Sequence, residues 1–194
     1  MKRKVKGIGL VAKARSGKDT LADYAVEKYN MFSFAFGDAL KKQFHKEYPN
    51  IPRKPKPVKG YQLYGQLQRY VVDTDIWVNI LFDKIEYTRE LAKNYNTNGD
   101  MPSLKPIITD VRQQNEVDRC KEEGYILIRI NCPEEIRIER MKAKGDKVTK
   151  SDLEFETETA LDNFEVDYEI DNSGSLQHLY AQFDKIMNQI EVEN

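Results

Sequence analysis

The segment KVKGIGLVAKARSGKDT, residues 4–20, constrains this chain more than any other. The apolar run from Val5 to Val11 predicts a buried strand. A short turn closes on Ser16-Gly17-Lys18, and Asp19-Thr20-Leu21-Ala22 opens a helix. Strand, glycine-lysine turn and helix in that order make a phosphate cradle. Backbone N–H groups and the positive end of a helix face the phosphate oxygens, and the lysine adds a mobile charge. Two positions depart from the strict pattern: Ala12 stands where it asks for glycine, and Asp19 where it asks for a serine or threonine hydroxyl.

Beyond this segment, short apolar runs alternate with helical patterns. Strands are expected at 31–36, 106–110 and 125–131 and near Tyr168-Glu169-Ile170. Helices are expected over 19–30, after Gly37-Asp38 with Asp38 as N-cap, over 61–95 as two helices meeting near Asp73-Thr74-Asp75, over 113–123, from Pro133 to Met141, over 153–163 and from Ser175 onward. Residues 49–60 hold four prolines and four basic residues and read as an extended loop. The alternation predicts a three-layer α/β/α fold around a parallel five-stranded sheet. A length of 194 residues suits one domain, with a helical segment at about 37–95 and a lid at about 137–152 that includes a charged, glycine-bearing loop over 142–152.

Composition narrows the function classes. Thirty-one basic against 32 acidic side chains leave no excess charge for coating a nucleic acid polymer. No apolar run reaches membrane-spanning length, and the basic N-terminus leads straight into the strand, so no membrane partner and a cytoplasmic location are expected. Cys120 and Cys132 match no metal or redox spacing, and the isolated His45 and His178 argue against zinc.

Lys18 is the first candidate for catalysis, because a lysine in such a turn reaches the β- and γ-phosphates. Thr20 can offer its hydroxyl to a phosphate or simply solvate the helix start. Asp19 reads either as a Mg²⁺ ligand, directly or through water, or as a favourable acid in a first helical turn. Asp110 ends a strand, where α/β sheets place their ligands, and is a second candidate for the metal. Arg112 could grip a phosphate or sit on a helix surface. Arg137 and Arg140 share one helix face; with Lys142 and Lys144 they either close over transferring phosphates or form a solvated face.

These segments resemble the deoxynucleoside monophosphate kinases of bacteriophages. SGKDT, FAFGDALK, YGQLQRYVVDTDIWV, PIITDVRQQNEVDRCKEEGYILIRI, RIER and ETETALDNF occur in that family's order, nearly end to end, with SGKDT and TDVRxxNE the specific parts. The SGKD form also occurs in related P-loop kinases such as the animal-type phosphomevalonate kinases. The resemblance implies phosphoryl transfer from ATP, with Mg²⁺, to a deoxynucleoside monophosphate, on a nucleoside-monophosphate-kinase-like fold with a lid. It also implies that Lys13, Ala14, Arg15, Ser16, Gly17, Lys18, Asp19 and Thr20 cradle ATP. Phe36, Asp38, Lys41, Arg69, Trp77 and Arg112 would serve the monophosphate, and Arg137 and Arg140 the lid. Glu156 and Glu158 match a glutamate-bearing segment with no derivable role. Phe36, Tyr61, Tyr64 and Tyr70 could wall off the deoxyribose or belong to the core. Stretch 61–95 could pair two subunits into a homodimer. Another small-molecule P-loop kinase and a regulatory ATPase are the competing readings, and no Asn-Lys-x-Asp segment marks a guanine switch.

Overall fold

A computed structural model describes residues 2–95, 104–145 and 160–192. In chain order it contains β1 (Arg3–Val5), β2 (Gly7–Ala12), α1 (Lys18–Tyr29), β3 (Phe32–Phe34), α2 (Phe36–Glu47), α3 (Val58–Val71) and α4 (Ile76–Tyr95). Then follow β4 (Pro106–Val111), α5 (Gln114–Glu122), β5 (Tyr125–Asn131), α6 (Glu134–Ala143), a 3₁₀ turn (Ala160–Asn163), β6 (Tyr168–Asp171), α7 (Leu176–Met187) and β7 (Ile190–Val192). Residues 96–103, residues 146–152 of the charged loop, most of the helix expected at 153–163, and Glu156 and Glu158 lie outside the described residues.

Among the described residues, five strands form one sheet in the order β3-β4-β2-β5-β6, every pair parallel. Parallel strands covered on both faces must be apolar throughout, and β2 is buried at all six positions. The side chains still alternate between layers. Ile126, Ile128 and Ile130 of β5 join Ile8 and Leu10 against α1 and α7, while Tyr125 and Leu127 join Val11 against α4 and α5. Each fully buried side chain of this size contributes roughly 1.5–3 kcal/mol. With β2 central, the chain reaches β4 on one side and β5 on the other, which leaves a crevice at the carboxyl ends of the strands.

Three features differ from the sequence expectations. The first apolar run is two strands, because the chain bends at Lys6; β1 pairs with β7, an unexpected strand, in a small parallel sheet. Helix α2 begins at Phe36 with Ala35 as its N-cap, so Asp38 is not the cap. Helix α3 begins at Val58, just after the prolines.

Helices α2, α3 and α4 have a small core of their own. Phe44, Tyr64 and Trp77 are buried against Ala39, Leu40, Tyr61 and Ile76, and the Trp77 indole N–H donates to the Gly65 carbonyl at 3.2 Å. The outer face of α3 exposes Leu63, Leu67, Tyr70 and Val71, within the stretch marked for subunit pairing. Among the described residues, no helix is long and apolar enough to cross a membrane.

Candidate functional site

The turn from β2 into α1 is a compact loop. The Ser16 N–H donates to the Lys13 carbonyl at 3.2 Å, and Arg15 and Gly17 take left-handed conformations, at φ 62° and 96°. Gly17 is the N-cap of α1, and no side chain caps this helix. Its first-turn N–H groups are therefore open to an anion, with the helix dipole behind them. Ala12 needs no glycine. It is the last residue of β2, buried and in register with Ile130, so its backbone is extended.

The loop carbonyls are tied back from the far side. Arg137 Nη1 donates to the Ala14 carbonyl at 3.4 Å and Arg140 Nη1 to the Arg15 carbonyl at 3.3 Å. Asn172, buried after β6, donates from Nδ2 to the Ser16 carbonyl at 2.7 Å, and its own carbonyl accepts from Arg140 Nη2 at 3.2 Å. Lys13 reaches Asp162 at 2.5 Å. Lys18 pairs with the exposed Asp19 carboxylate at 2.5 Å, and Thr20 is half-buried in the first turn of α1.

The neighbouring strand end is shaped by a bulge. Gly9 pairs with Ile108 but Val11 with Val111, so β4 carries one more residue than β2 across this interval. A bulge re-aims side chains, and here Asp110 turns toward α2. Its Oδ1 accepts the Phe36 N–H at 2.7 Å and its Oδ2 the Gly37 N–H at 3.0 Å. This long-range acceptor does the capping that a local Asp38 was expected to do, and Asp38 instead pairs with Lys41 at 3.1 Å. A Cβ on Gly37 would lie 3.1 Å from Asp110 Oδ2 and 3.5 Å from Lys41 Nζ, so the lysine passes close over the same turn.

A cleft of about 230 Å³ opens between this turn and α3. Lys18, Lys41, Lys56, Arg69 and Arg112 supply its positive charge, and Asp110 and Glu116 its carboxylates. Phe36, Leu40, Tyr61 and Trp77 form apolar wall, and Gln62 and Gln66 add amides. The structure thus brings Phe36, Lys41, Arg69, Trp77, Asp110, Arg112 and Lys18 around one space. Asp38 is not in the lining, and of the four aromatic candidates Tyr64 and Tyr70 are also outside it. Tyr64 is buried, with its hydroxyl on Glu47 at 2.6 Å, and Tyr70 is exposed.

Glu116 lies at the floor, fully buried. Its Oε2 accepts the backbone N–H groups of Arg112 at 2.7 Å and Gln113 at 3.1 Å, and its Oε1 is 3.6 Å from Arg69 Nη2. Burial, helped by the Asp110 charge, pushes its carboxyl up from its ordinary 4.5 to about 7 against these partners. Folded protein then holds this proton more tightly than unfolded chain, so the stabilisation is complete at low pH and is lost as pH rises toward about 7. Urea unfolding from about pH 5 to about pH 8 should show the wild type losing up to about 3 kcal/mol that Glu116→Gln retains. Parallel pH profiles for the two proteins would overturn this assignment.

Sequence reasoning did not single out Asn172 or Lys56, and it carried Glu116 only as the last residue of TDVRxxNE, with no role. The available signal for Asn172 was a polar residue directly after a strand whose carboxyl end faces the cradle. For Glu116 it was an acid in the first turn of a helix that follows a strand-end aspartate.

Residues 8–162 match the model of a family described as AAA domain. A protein of Acanthamoeba polyphaga mimivirus, named as an inferred deoxynucleotide monophosphate kinase, is 28% identical in a 150-position alignment, and the match covers 65% of this chain and 74% of the viral protein. Among solved structures, a Janibacter sugar kinase superposes with a TM-score of 0.53 at 15% identity, over 97% of this chain and 96% of its own. The gluconokinase of Sinorhizobium meliloti gives 0.52 at 16%, over 96% and 94%. The shikimate kinase of Aquifex aeolicus gives 0.52 at 14%, over 93% and 95%. At these identities the three structures establish a shared fold.

Proposed function

We propose that this chain, which belongs to the AAA-domain family, is a kinase that transfers the γ-phosphoryl group of ATP to a deoxynucleoside monophosphate, giving ADP and the diphosphate. The observation that carries this reading is the place of Lys18. It belongs to the loop that would cradle the donor and also to the wall of the basic cleft that would take the acceptor. The name of the mimiviral relative supports the same substrate class. A second reading, a P-loop kinase for another small molecule, draws on the fold neighbours, which are named for sugar, gluconate and shikimate.

In this reading the residues work by alignment and charge, and no protein nucleophile is required. Residues Lys13 to Thr20 hold the ATP phosphates on the open N–H groups of α1, and Lys18 offsets charge on the transferring group. Arg137 and Arg140 hold the loop carbonyls back so that the N–H groups stay aimed at the donor, a preorganised arrangement that needs no rearrangement during reaction. Lys41 and Arg112 hold the acceptor phosphate, with Asp38 steadying Lys41. Leu40 and Tyr61 present an apolar wall to the nucleoside, with Phe36 and the buried Trp77 packed behind it, and Arg69 is poised over Glu116 at the floor.

Mg²⁺ is held by one or two carboxylates together with substrate phosphates. Asp19, exposed beside Lys18, suits that role. Asp110 suits it less, because both of its oxygens already accept N–H bonds from α2. Among the described residues, no three His, Cys, Asp or Glu side chains cluster as a metal cage. Held there, the ion would supply positive charge to offset that of the donor phosphates.

A coupled ADP-release assay with ATP, Mg²⁺ and a panel of acceptors tests the reading. The panel should hold deoxynucleoside and nucleoside monophosphates, phosphomevalonate, gluconate and shikimate. At least one deoxynucleoside monophosphate should drive turnover of about 1–100 s⁻¹. No stimulation by any nucleoside monophosphate would sink it.

A further inference from the structure

Asn115 and Glu116 close the segment TDVRxxNE and stand in the first turn of α5. Both reach out of that helix to other elements. Asn115 Nδ2 donates to the Thr74 carbonyl at 3.1 Å and to Asp75 Oδ1 at 2.7 Å, which fastens the junction of α3 and α4 to the start of α5. Arg69 stands in the last turn of α3, just before that junction, and its Nη2 comes to 3.6 Å from Glu116 Oε1. The arginine side chain is 21% exposed and the glutamate 3%, so water screens the pair little.

The other glutamate oxygen, Oε2, accepts the Arg112 and Gln113 N–H groups. One buried carboxyl thus holds the turn that carries Arg112 and faces the guanidinium of Arg69. The two tasks have different chemical needs. A glutamine carbonyl could accept the same two N–H groups without a buried charge. Only an anion balances Arg69. Burial opposes that anion and pushes the Glu116 carboxyl up to about 7, so the charge is kept against stability near neutral pH. An ionisable group kept in a cleft on such terms points to function.

At 3.6 Å the contact is an ion pair and not a hydrogen bond. Among the described residues the Arg69 guanidinium donates no hydrogen bond, and it lines the cleft. Its planar set of N–H donors is left for the oxygen atoms of a ligand. Its Nη1 lies 3.6 Å from where a Cβ on Gly65 would stand, so the side chain folds back over the preceding turn of α3. Held between that turn and Glu116, Arg69 has lost much of its rotamer freedom before any ligand arrives, which lowers the ordering cost of binding.

We propose that Glu116 is a positioning residue of the acceptor cleft: its carboxylate holds the Arg69 guanidinium with N–H donors turned to the bound acceptor. This rests on reading the cleft as the acceptor site. Capping of α5 and charge balance of Arg69 fall on different oxygens of one side chain, and the second is the one the ligand feels.

A double-mutant cycle read by titration calorimetry on the full chain tests this at about pH 8, where Glu116 is mostly charged. The proteins are wild type, Glu116→Gln, Arg69→Gln and the double variant. The ligands are thymidine monophosphate (or whichever acceptor of the panel above drives turnover) and a non-hydrolysable ATP analogue. Glu116→Gln should weaken the acceptor about tenfold, the scale of a charge-assisted hydrogen bond, and leave the ATP analogue within about twofold. In the Arg69→Gln background the same substitution should change acceptor affinity less than about twofold, because the arginine through which it acts is gone. Urea unfolding of Glu116→Gln at the same pH should show no loss of stability. Unchanged acceptor binding in Glu116→Gln overturns the inference and leaves the kinase reading standing. So does a loss of equal size with and without Arg69, or a loss matched by a fall in stability. If wild type takes gluconate or shikimate and no nucleotide, the nucleotide reading fails, and the same cycle on that acceptor decides for or against Glu116. If wild type binds no acceptor of the panel, both fail.

Discussion

Lys18→Ala should lower turnover about 100- to 1,000-fold, the cost of deleting one preorganised charge-stabilising donor at a reacting group. The lysine ammonium lies at the junction of loop and cleft, where its only close anion among the described residues is the exposed Asp19 carboxylate. A surface pair of this kind is weak, so its loss should barely change stability. The expected signature is a collapse of kcat with an unchanged melting temperature. Binding of the monophosphate in the absence of ATP should change less than kcat. Turnover near that of wild type would show that the loop does not hold the donor.

Gly17→Ala should damage both the fold and the cradle. The residue stands at φ 96°, which strains any side chain, and an added Cβ would lie 2.1 Å from Asn172 Nδ2. The left-handed strain is worth about 1–2 kcal/mol. Displacing Asn172 would break its bond to the Ser16 carbonyl inside the protein, at a further cost of about 1–3 kcal/mol. A total near 3 kcal/mol should lower the melting temperature by about 6–12 °C in a chain of this size. ATP affinity should fall as well, because the open end of α1 would no longer be held in shape. The double variant Gly17→Ala/Asn172→Ala relieves the clash and should regain part of the stability, but not the ATP binding, since φ is unchanged. A single variant that melts like wild type would mean that Asn172 does not strap the loop.

Much of the architecture is legible along the chain. Buried parallel strands must be continuously apolar, so GIGLVA, PIITDV and YILIRIN announce themselves, and the glycine-lysine turn between strand and helix is a local pattern with a local cause. The small sheet of β1 and β7 is not legible in this way. Its three-residue strands lie at opposite ends of the chain, and only pairing distinguishes them from loop. Asp38 shows the same limit at the site. Its position before a helical pattern fits an N-cap, but capping by Asp110, 73 and 74 residues from the N–H groups it accepts, leaves it outside that role. The doubt over Ala12 dissolves for a related reason: the strand continues through it, so the backbone demand that glycine meets falls on Arg15 and Gly17 instead.

The sequence by itself determined the parallel α/β fold and the cradle, because both depend on contiguous residues: hydrophobic period, a glycine-lysine turn and the first turn of a helix. The basic cleft and the support under the loop were decided by tertiary structure. Lys56, Glu116 and Asn172 carry local signals too weak to assign them a place. They become meaningful once a bulge turns Asp110 onto α2, the segment before α3 brings a lysine into the cleft lining, and a strand end brings an asparagine under the loop. Burial and the sum of nearby charges belong to no short stretch of chain, and here they set the lining of the cleft.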